Sequence, residues 1–261
     1  MPPDDVSRRL DEVRWSTEGL LTALAERPPA DGWARQPSLL PGWSRGHVLT
    51  HLARNADAIA RALAGLGRGE RIPMYDDEAA READIEAGAG RPAAELVADL
   101  TGSARRLEDT WSALGDAEWY GEAVTRTGPL PAVRLIGTRW REVEIHRIDL
   151  LDGYGPGDWP ASFVAPLLPS LLDPDRIGRR LPAGVTVEVV NTDSGQRWLV
   201  GGDVPQPVGT ARSARAAAVR SAAPPPVRVV GPSWALVGWL LGRTAVVGPE
   251  LGEPPALAPW T

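Results

Sequence analysis

Glu142, His146 and Asp149 stand in one run, Arg139-Trp-Arg-Glu142-Val-Glu-Ile-His146-Arg-Ile-Asp149-Leu150, at intervals of four and three. In a helix those intervals bring side chains to one face, so a carboxylate lies one turn from an imidazole. Glu144, two positions from His146, points elsewhere. A carboxylate and an imidazole so paired make half of a metal site. The chain has three histidines, and the other two, His47 and His51, are also four apart. Two nitrogens and one carboxylate leave a fourth position open on a tetrahedral Zn²⁺, the pattern of catalytic rather than structural sites. Asp149 reads either as the acceptor that orients an imidazole from behind or as a solvated carboxylate at a helix end. Glu142 and His146 have a competing reading too, a surface ion pair with Arg139 or Arg147.

His47-Val-Leu-Thr-His51 has the spacing of a zinc-protease helix but not its chemistry. That motif needs Glu directly after the first His as general base, and Val48 stands there. One of the two histidines therefore reads as structural. His51 is the better ligand candidate, because it lies deeper in its helix, where a facing helix can meet it. Arg81 could hold a carboxylate through two parallel hydrogen bonds, or could pair with neighbouring Asp and Glu on a solvated helix. Trp43 and Trp140, beside the candidate ligands, are candidates to line a pocket.

The elements that must position these residues follow from periodicity. Helices are expected over 4–26, 45–64, 76–87, 92–114 and 131–152. Pro28-Pro29 stops the first, and Ser44 suits the N-cap of the second. Four long helices imply a bundle, and bundle interiors build metal sites from facing helices. Gly153-Tyr-Gly-Pro-Gly-Asp-Trp-Pro160 then reads as a linker. A helix over 161–172, strands over 185–190, 196–200 and 227–230, and a helix over 232–241 follow. The expectation is an α+β protein: a metal-binding helical bundle over 1–152 and a smaller α+β domain over 158–261, with the active cleft between them. The stretch 203–225, rich in Ala, Pro, Arg and Ser, carries no assignment.

Composition narrows the partners. The 261 residues carry a formal net charge of −6, which argues against nucleic acid. There is no Cys, so thiolate metal ligands, disulfides and a protein thiol nucleophile are excluded. The first residues lack a signal-peptide pattern, and no apolar run approaches a membrane span. The expectation is a cytoplasmic protein, monomeric, with small-molecule partners.

Pro41-Gly-Trp-Ser-Arg-Gly-His-Val-Leu-Thr-His-Leu-Ala-Arg-Asn55 and Arg141-Glu-Val-Glu-Ile-His-Arg-Ile-Asp-Leu150 resemble the two signature segments of the mycothiol-dependent maleylpyruvate isomerase family, whose N-terminal part is a DinB-like four-helix bundle. Val229-Val-Gly-Pro-Ser-Trp-Ala-Leu-Val-Gly-Trp-Leu-Leu-Gly-Arg243 resembles the closing segment of its C-terminal domain. The resemblance implies zinc, or another divalent ion, on His51, Glu142 and His146. It also implies an active-site arginine at Arg81 and mycothiol as a borrowed thiol. The implied reaction is conversion of maleylpyruvate to fumarylpyruvate. A related thiol S-transferase acting on another electrophile is the alternative enzyme. A non-catalytic metal- or thiol-binding regulatory module is the alternative outside catalysis.

Overall fold

The computed structural model describes residues 4–202, 225–243, 251 and 253–259, and the chain divides into two compact units, 1–153 and 154–261. The first unit runs α1 (Asp4–Glu26), α2 (Asp31–Ala34), α3 (Arg45–Gly67), α4 (Glu78–Ala89), α5 (Ala93–Ala113), β1 (Glu122–Thr125), β2 (Gly128–Pro131) and α6 (Ala132–Asp149). The second runs α7 (Ala161–Leu171), α8 (Pro174–Ile177), β3 (Thr186–Asn191), β4 (Arg197–Gly201), β5 (Val227–Gly231) and α9 (Ser233–Leu240). The fold is α+β. No helix among the described residues is long and apolar enough to cross a membrane. Of the unassigned stretch 203–225, residues 203–224 lie outside the described residues.

Four long helices, α1, α3, α5 and α6, make the body of the first unit. Helix α3 packs along α5 and against α6, and α1 packs along α6. Val6, Leu10, Ile59, Leu63, Leu107 and Trp119 fill one end of the core. Leu20, Val48, Leu52, Leu96, Leu100 and Val143 fill the other. Burying each such side chain is worth roughly 1.5–3 kcal/mol. That is enough to hold inward the polar groups that α3 and α6 also carry.

The start of α3 is set by Ser44. Its backbone is extended (φ −82°, ψ 169°), and its Oγ accepts from the His47 backbone N–H at 3.4 Å, while the Ser44 N–H donates to His47 Nδ1 at 3.1 Å. This is a capping box with His47 in the place usually held by Glu or Gln. Helix α4 begins at Asp77, whose Oδ1 accepts from the Ala80 N–H at 2.7 Å. Two glycines let α4 lie against α3. A Cβ on Gly46 would stand 2.3 Å from the Ala89 carbonyl oxygen, and one on Gly88 would stand 2.5 Å from Thr50 Cγ2.

Between α5 and α6 periodicity assigns no element, yet the chain forms a hairpin there. Strands β1 and β2 pair antiparallel, Glu122 with Pro131 and Thr125 with Gly128, with Gly128 at φ 115°. Strands of four residues are too short to show alternation, and Pro129 and Pro131 mask them further. The Met74 N–H donates to the Val124 carbonyl at 3.1 Å and ties the approach to α4 onto β1. In the second unit β3 is central, antiparallel to β4 and parallel to β5, and α7 packs against α9. Its Val187, Val189 and Asn191 alternate inward, as a strand covered on one face requires.

Because Gly46 meets backbone rather than a mobile side chain, Gly46→Ala has no cheap relief. We expect it to destabilise the protein by about 1–3 kcal/mol, measured by urea unfolding. Gly90→Ala, where a Cβ meets nothing within 4 Å, is the control and should change stability far less.

Candidate metal-binding active site

Helices α3 and α6 face each other at His51 and Glu142. His51 Nε2 lies 2.8 Å from Glu142 Oε2, and His146 Nε2 lies 3.4 Å from the same oxygen. The two imidazoles meet edge to face, centroids 4.6 Å apart. One ligand atom from each of His51, Glu142 and His146 can be chosen so that all lie within 4.8 Å of one another, and the three could hold a metal ion. Tetrahedral ligands about 2.0–2.1 Å from zinc are roughly 3.3 Å apart, and the observed 2.8 and 3.4 Å bracket that spacing. The donor set, two imidazoles and one carboxylate, suits a borderline ion such as zinc.

Behind His146, Nδ1 lies 2.8 Å from Asp149 Oδ2, and the Asp149 side chain is fully buried. Asp149 is thus the orienting acceptor and not a solvated terminus. The ion-pair reading of Glu142 fails for Arg139. That guanidinium is buried and donates to the Leu52 carbonyl at 2.7 Å and to Asn55 Oδ1 at 2.9 Å. His47 stands apart from the cluster, with Nδ1 on Ser44 and Nε2 3.1 Å from Glu86. Trp43 stacks on His47 and tilts against His51, with ring centroids 6.0 and 5.5 Å away. Trp140 donates its indole N–H to Ser16 Oγ at 2.8 Å, and Ser16 in turn donates to the buried Glu144. Neither tryptophan lines the cavity beside the site, which corrects that expectation. Both serve to pack or fix the ligand helices.

The cavity measures about 200 Å³, and His51, Asn55, Tyr75, Arg81, Arg126 and Glu142 are among its lining. That is room for about seven waters at roughly 30 Å³ each, the size of a small organic acid. Arg81 lies between the two readings made for it. Its Nη1 donates to Glu78 at 3.1 Å, its Nη2 reaches His51 Nδ1 at 3.3 Å, and its guanidinium stands 5.8 Å from the Tyr75 ring centroid. Asn55, Tyr75 and the hairpin residues Thr125, Arg126 and Thr127 were not singled out in the sequence. Asn55 is four residues from His51, the same helical spacing that flagged the ligands, and that signal could have found it.

The electrostatics assign protons. Burial lowers the His51 pKa, with His146 and Arg81 adding to it against the hydrogen bond to Glu142. His51 is therefore neutral, with its proton on Nε2 toward Glu142 and Nδ1 accepting from Arg81. Burial also opposes charge on His146, but hydrogen bonds to Asp149 and Glu142 outweigh it and raise the group to about 9. Burial pushes Glu142 upward, yet the hydrogen bonds from His146 and His51 hold it well below the usual carboxylate range. Without metal, then, the site is a carboxylate between a neutral imidazole and an imidazolium.

Comparison with known proteins places the fold. Residues 3–151 match the family model described as the mycothiol maleylpyruvate isomerase N-terminal domain. A crystal structure of the mycothiol-dependent maleylpyruvate isomerase superposes with a TM-score of 0.79 at 24% identity, over 98% of this chain and 97% of that one. A histidine-to-alanine mutant of that protein matches with the same score and coverage at 23% identity. No curated protein matches the chain.

Two outcomes are expected. His51→Ala and His146→Ala should each lose metal by elemental analysis; full occupancy in both would remove the site. Metal must displace the His146 proton, so apparent affinity should rise roughly tenfold per pH unit up to about 9 and level off above it. Calorimetry in buffers of different ionisation enthalpy would read the released proton. In the metal-free protein the sign runs the other way. The His146 pKa is raised from 6.5 to about 9, so its stabilisation is complete below 6.5 and fades as pH rises through 9.

Proposed function

We infer that this chain, which belongs to the mycothiol maleylpyruvate isomerase family, is a metal- and thiol-dependent cis–trans isomerase of the maleylpyruvate type. Its ligands are His51, Glu142 and His146, and Arg81 is the group that receives substrate charge. The observation that carries this reading is the pairing of two imidazole nitrogens on one Glu142 oxygen beside a cavity that also contains Arg81. A zinc-class ion there would lower the pKa of a bound thiol so that it is a thiolate at neutral pH. The thiol, with mycothiol as the family's choice, supplies a reversible nucleophile whose addition turns the cis double bond single and whose departure after rotation leaves it trans. The partners are accordingly a small acidic substrate and a low-molecular-weight thiol.

The chain's own residues do the rest. Asp149 holds His146 so that Nε2 faces Glu142. The Arg81 guanidinium, one-fifth exposed, can leave Glu78 for a substrate carboxylate and make two parallel bonds to it. It then also stabilises negative charge that develops on substrate oxygens during the reaction. Arg81 and Glu142 are themselves mostly buried, which keeps such interactions stronger than in bulk water. The absence of Cys is consistent with a borrowed thiol.

A thiol S-transferase would use the same three ligands and have no need of a carboxylate-binding arginine. Arg81 in the cavity wall is what favours the isomerase. The two are separated by substitution. A carboxylate left unpaired where it leaves water loses roughly 3–5 kcal/mol, and about 1.36 kcal/mol is tenfold in rate. Arg81→Ala should therefore lower kcat/KM for maleylpyruvate by about a hundredfold or more, with metal content unchanged. Arg81→Lys should recover part of it, because an ammonium cannot form the planar pair. The check is thiol-dependent turnover followed by mass spectrometry. Wild-type protein inert toward maleylpyruvate, with Arg81→Ala fully active on a neutral electrophile, would assign the transferase.

A further inference from the structure

Arg139 is a cation with no carboxylate beside it. It is 1% exposed and fully surrounded, and burial lowers its pKa to about 10. Its hydrogen bonds go to two neutral acceptors, the Leu52 carbonyl and Asn55 Oδ1, and its Nη2 has no partner among the described residues. Glu142 and Asp57 act on it only through longer-range attraction. A buried positive charge left so poorly compensated favours a negative charge nearby.

Asn55 connects that cation to the cavity. It is 4% exposed, sits one turn beyond His51 on α3, and lines the same cavity as Arg81. A guanidinium can only donate, so the Asn55 atom facing Arg139 must be the carbonyl oxygen. The amide nitrogen is thereby turned away from Arg139, and it has no hydrogen-bond partner among the described residues. Its carbonyl is polarised by the cation behind it, which makes its N–H groups better donors.

We propose that Asn55 binds a carboxylate of the substrate through its side-chain amide, with Arg139 as the positioning residue that fixes the amide with its donors toward the cavity. Arg81 and Asn55 then give the cavity two carboxylate-recognising groups, one charged and one neutral, on α4 and α3. The ligand class is a small dicarboxylate. The proposal rests on the isomerase-type reading only for which dicarboxylate is natural; the binding itself needs neither thiol nor turnover.

Asn55→Asp separates binding from scaffolding. An aspartate still accepts from Arg139, and more strongly, so a purely structural Asn55 would be replaced without loss. Toward the cavity it offers an acceptor and a negative charge instead of a donor. With maleate as probe and the full-length protein as purified, titration calorimetry should show affinity lowered at least tenfold in Asn55→Asp, with the melting temperature equal to or above wild type. Maleate affinity within twofold of wild type, or a wild-type protein that binds no maleate, would overturn the proposal. A second measurement covers a variant that does not fold. In ¹⁵N-labelled wild-type protein, the Asn55 side-chain NH₂ resonances should shift with maleate and not with the neutral diamide of maleic acid; no shift at saturating maleate refutes it. A protein that binds maleate through Asn55 but never isomerises maleylpyruvate keeps this inference and loses the isomerase. Asn55→Asp with wild-type kcat/KM on maleylpyruvate does the reverse.

Discussion

Helix α6 turns charge inward. Arg139, Glu144 and Asp149 are buried, and Glu142 and His146 are partly so. A charge removed from water is tolerated only with partners in place, so each of these groups dictates something about its neighbours. Glu142 requires the His51 nitrogen on α3. Asp149 requires His146. Arg139 requires the Leu52 carbonyl and Asn55, again on α3. Glu144 receives the Ser16 hydroxyl from α1. The apolar core supplies most of the stabilisation, but it tolerates small slips of one helix along another. The polar contacts do not, and they set the axial register of α1, α3 and α6.

That division explains what could be read from the sequence. Helix positions were legible because Leu and Val recur at helical spacing, and the start of α3 because Ser44 is a good cap; α4, expected over 76–87, runs Glu78–Ala89 behind the cap Asp77, which was not singled out. The Glu142–His146 pair was legible because its partners are one turn apart. Its union with His51 was an inference from the scarcity of histidine, 91 residues away in sequence. The burial of Arg139, which the sequence offered only as a candidate surface partner of Glu142 and His146, was not legible for a physical reason. An arginine among charged helical neighbours ordinarily pairs at the surface, and only the tertiary fold supplies the neutral acceptors that let Arg139 be buried. The hairpin was invisible because four-residue strands carry no period and β2 contains two prolines.

The proton arrangement also couples the metal site to Arg81. In the metal-free site His51 keeps its proton on Nε2 and accepts from Arg81 at Nδ1. Were His51 to hold a metal through Nε2, its proton would move to Nδ1, and two donors would face each other. Arg81 would lose that acceptor and keep Glu78 and the cavity as its partners. A bound metal would thus favour the form of Arg81 that is available to an incoming anion.

The hairpin adds a consequence of another kind. Thr125, Arg126 and Thr127 at its tip belong to the cavity wall, while the candidate metal ligands are carried by α3 and α6. Strand β2 runs straight into α6 at Pro131, so the tip is anchored to a ligand-bearing helix without sharing its side chains. Part of the cavity wall therefore lies on a piece separate from the helices that carry the candidate ligands, although Asn55 shares α3 with His51. The turn can change in sequence and reshape that part of the wall while the helices carrying the candidate ligands keep their packing.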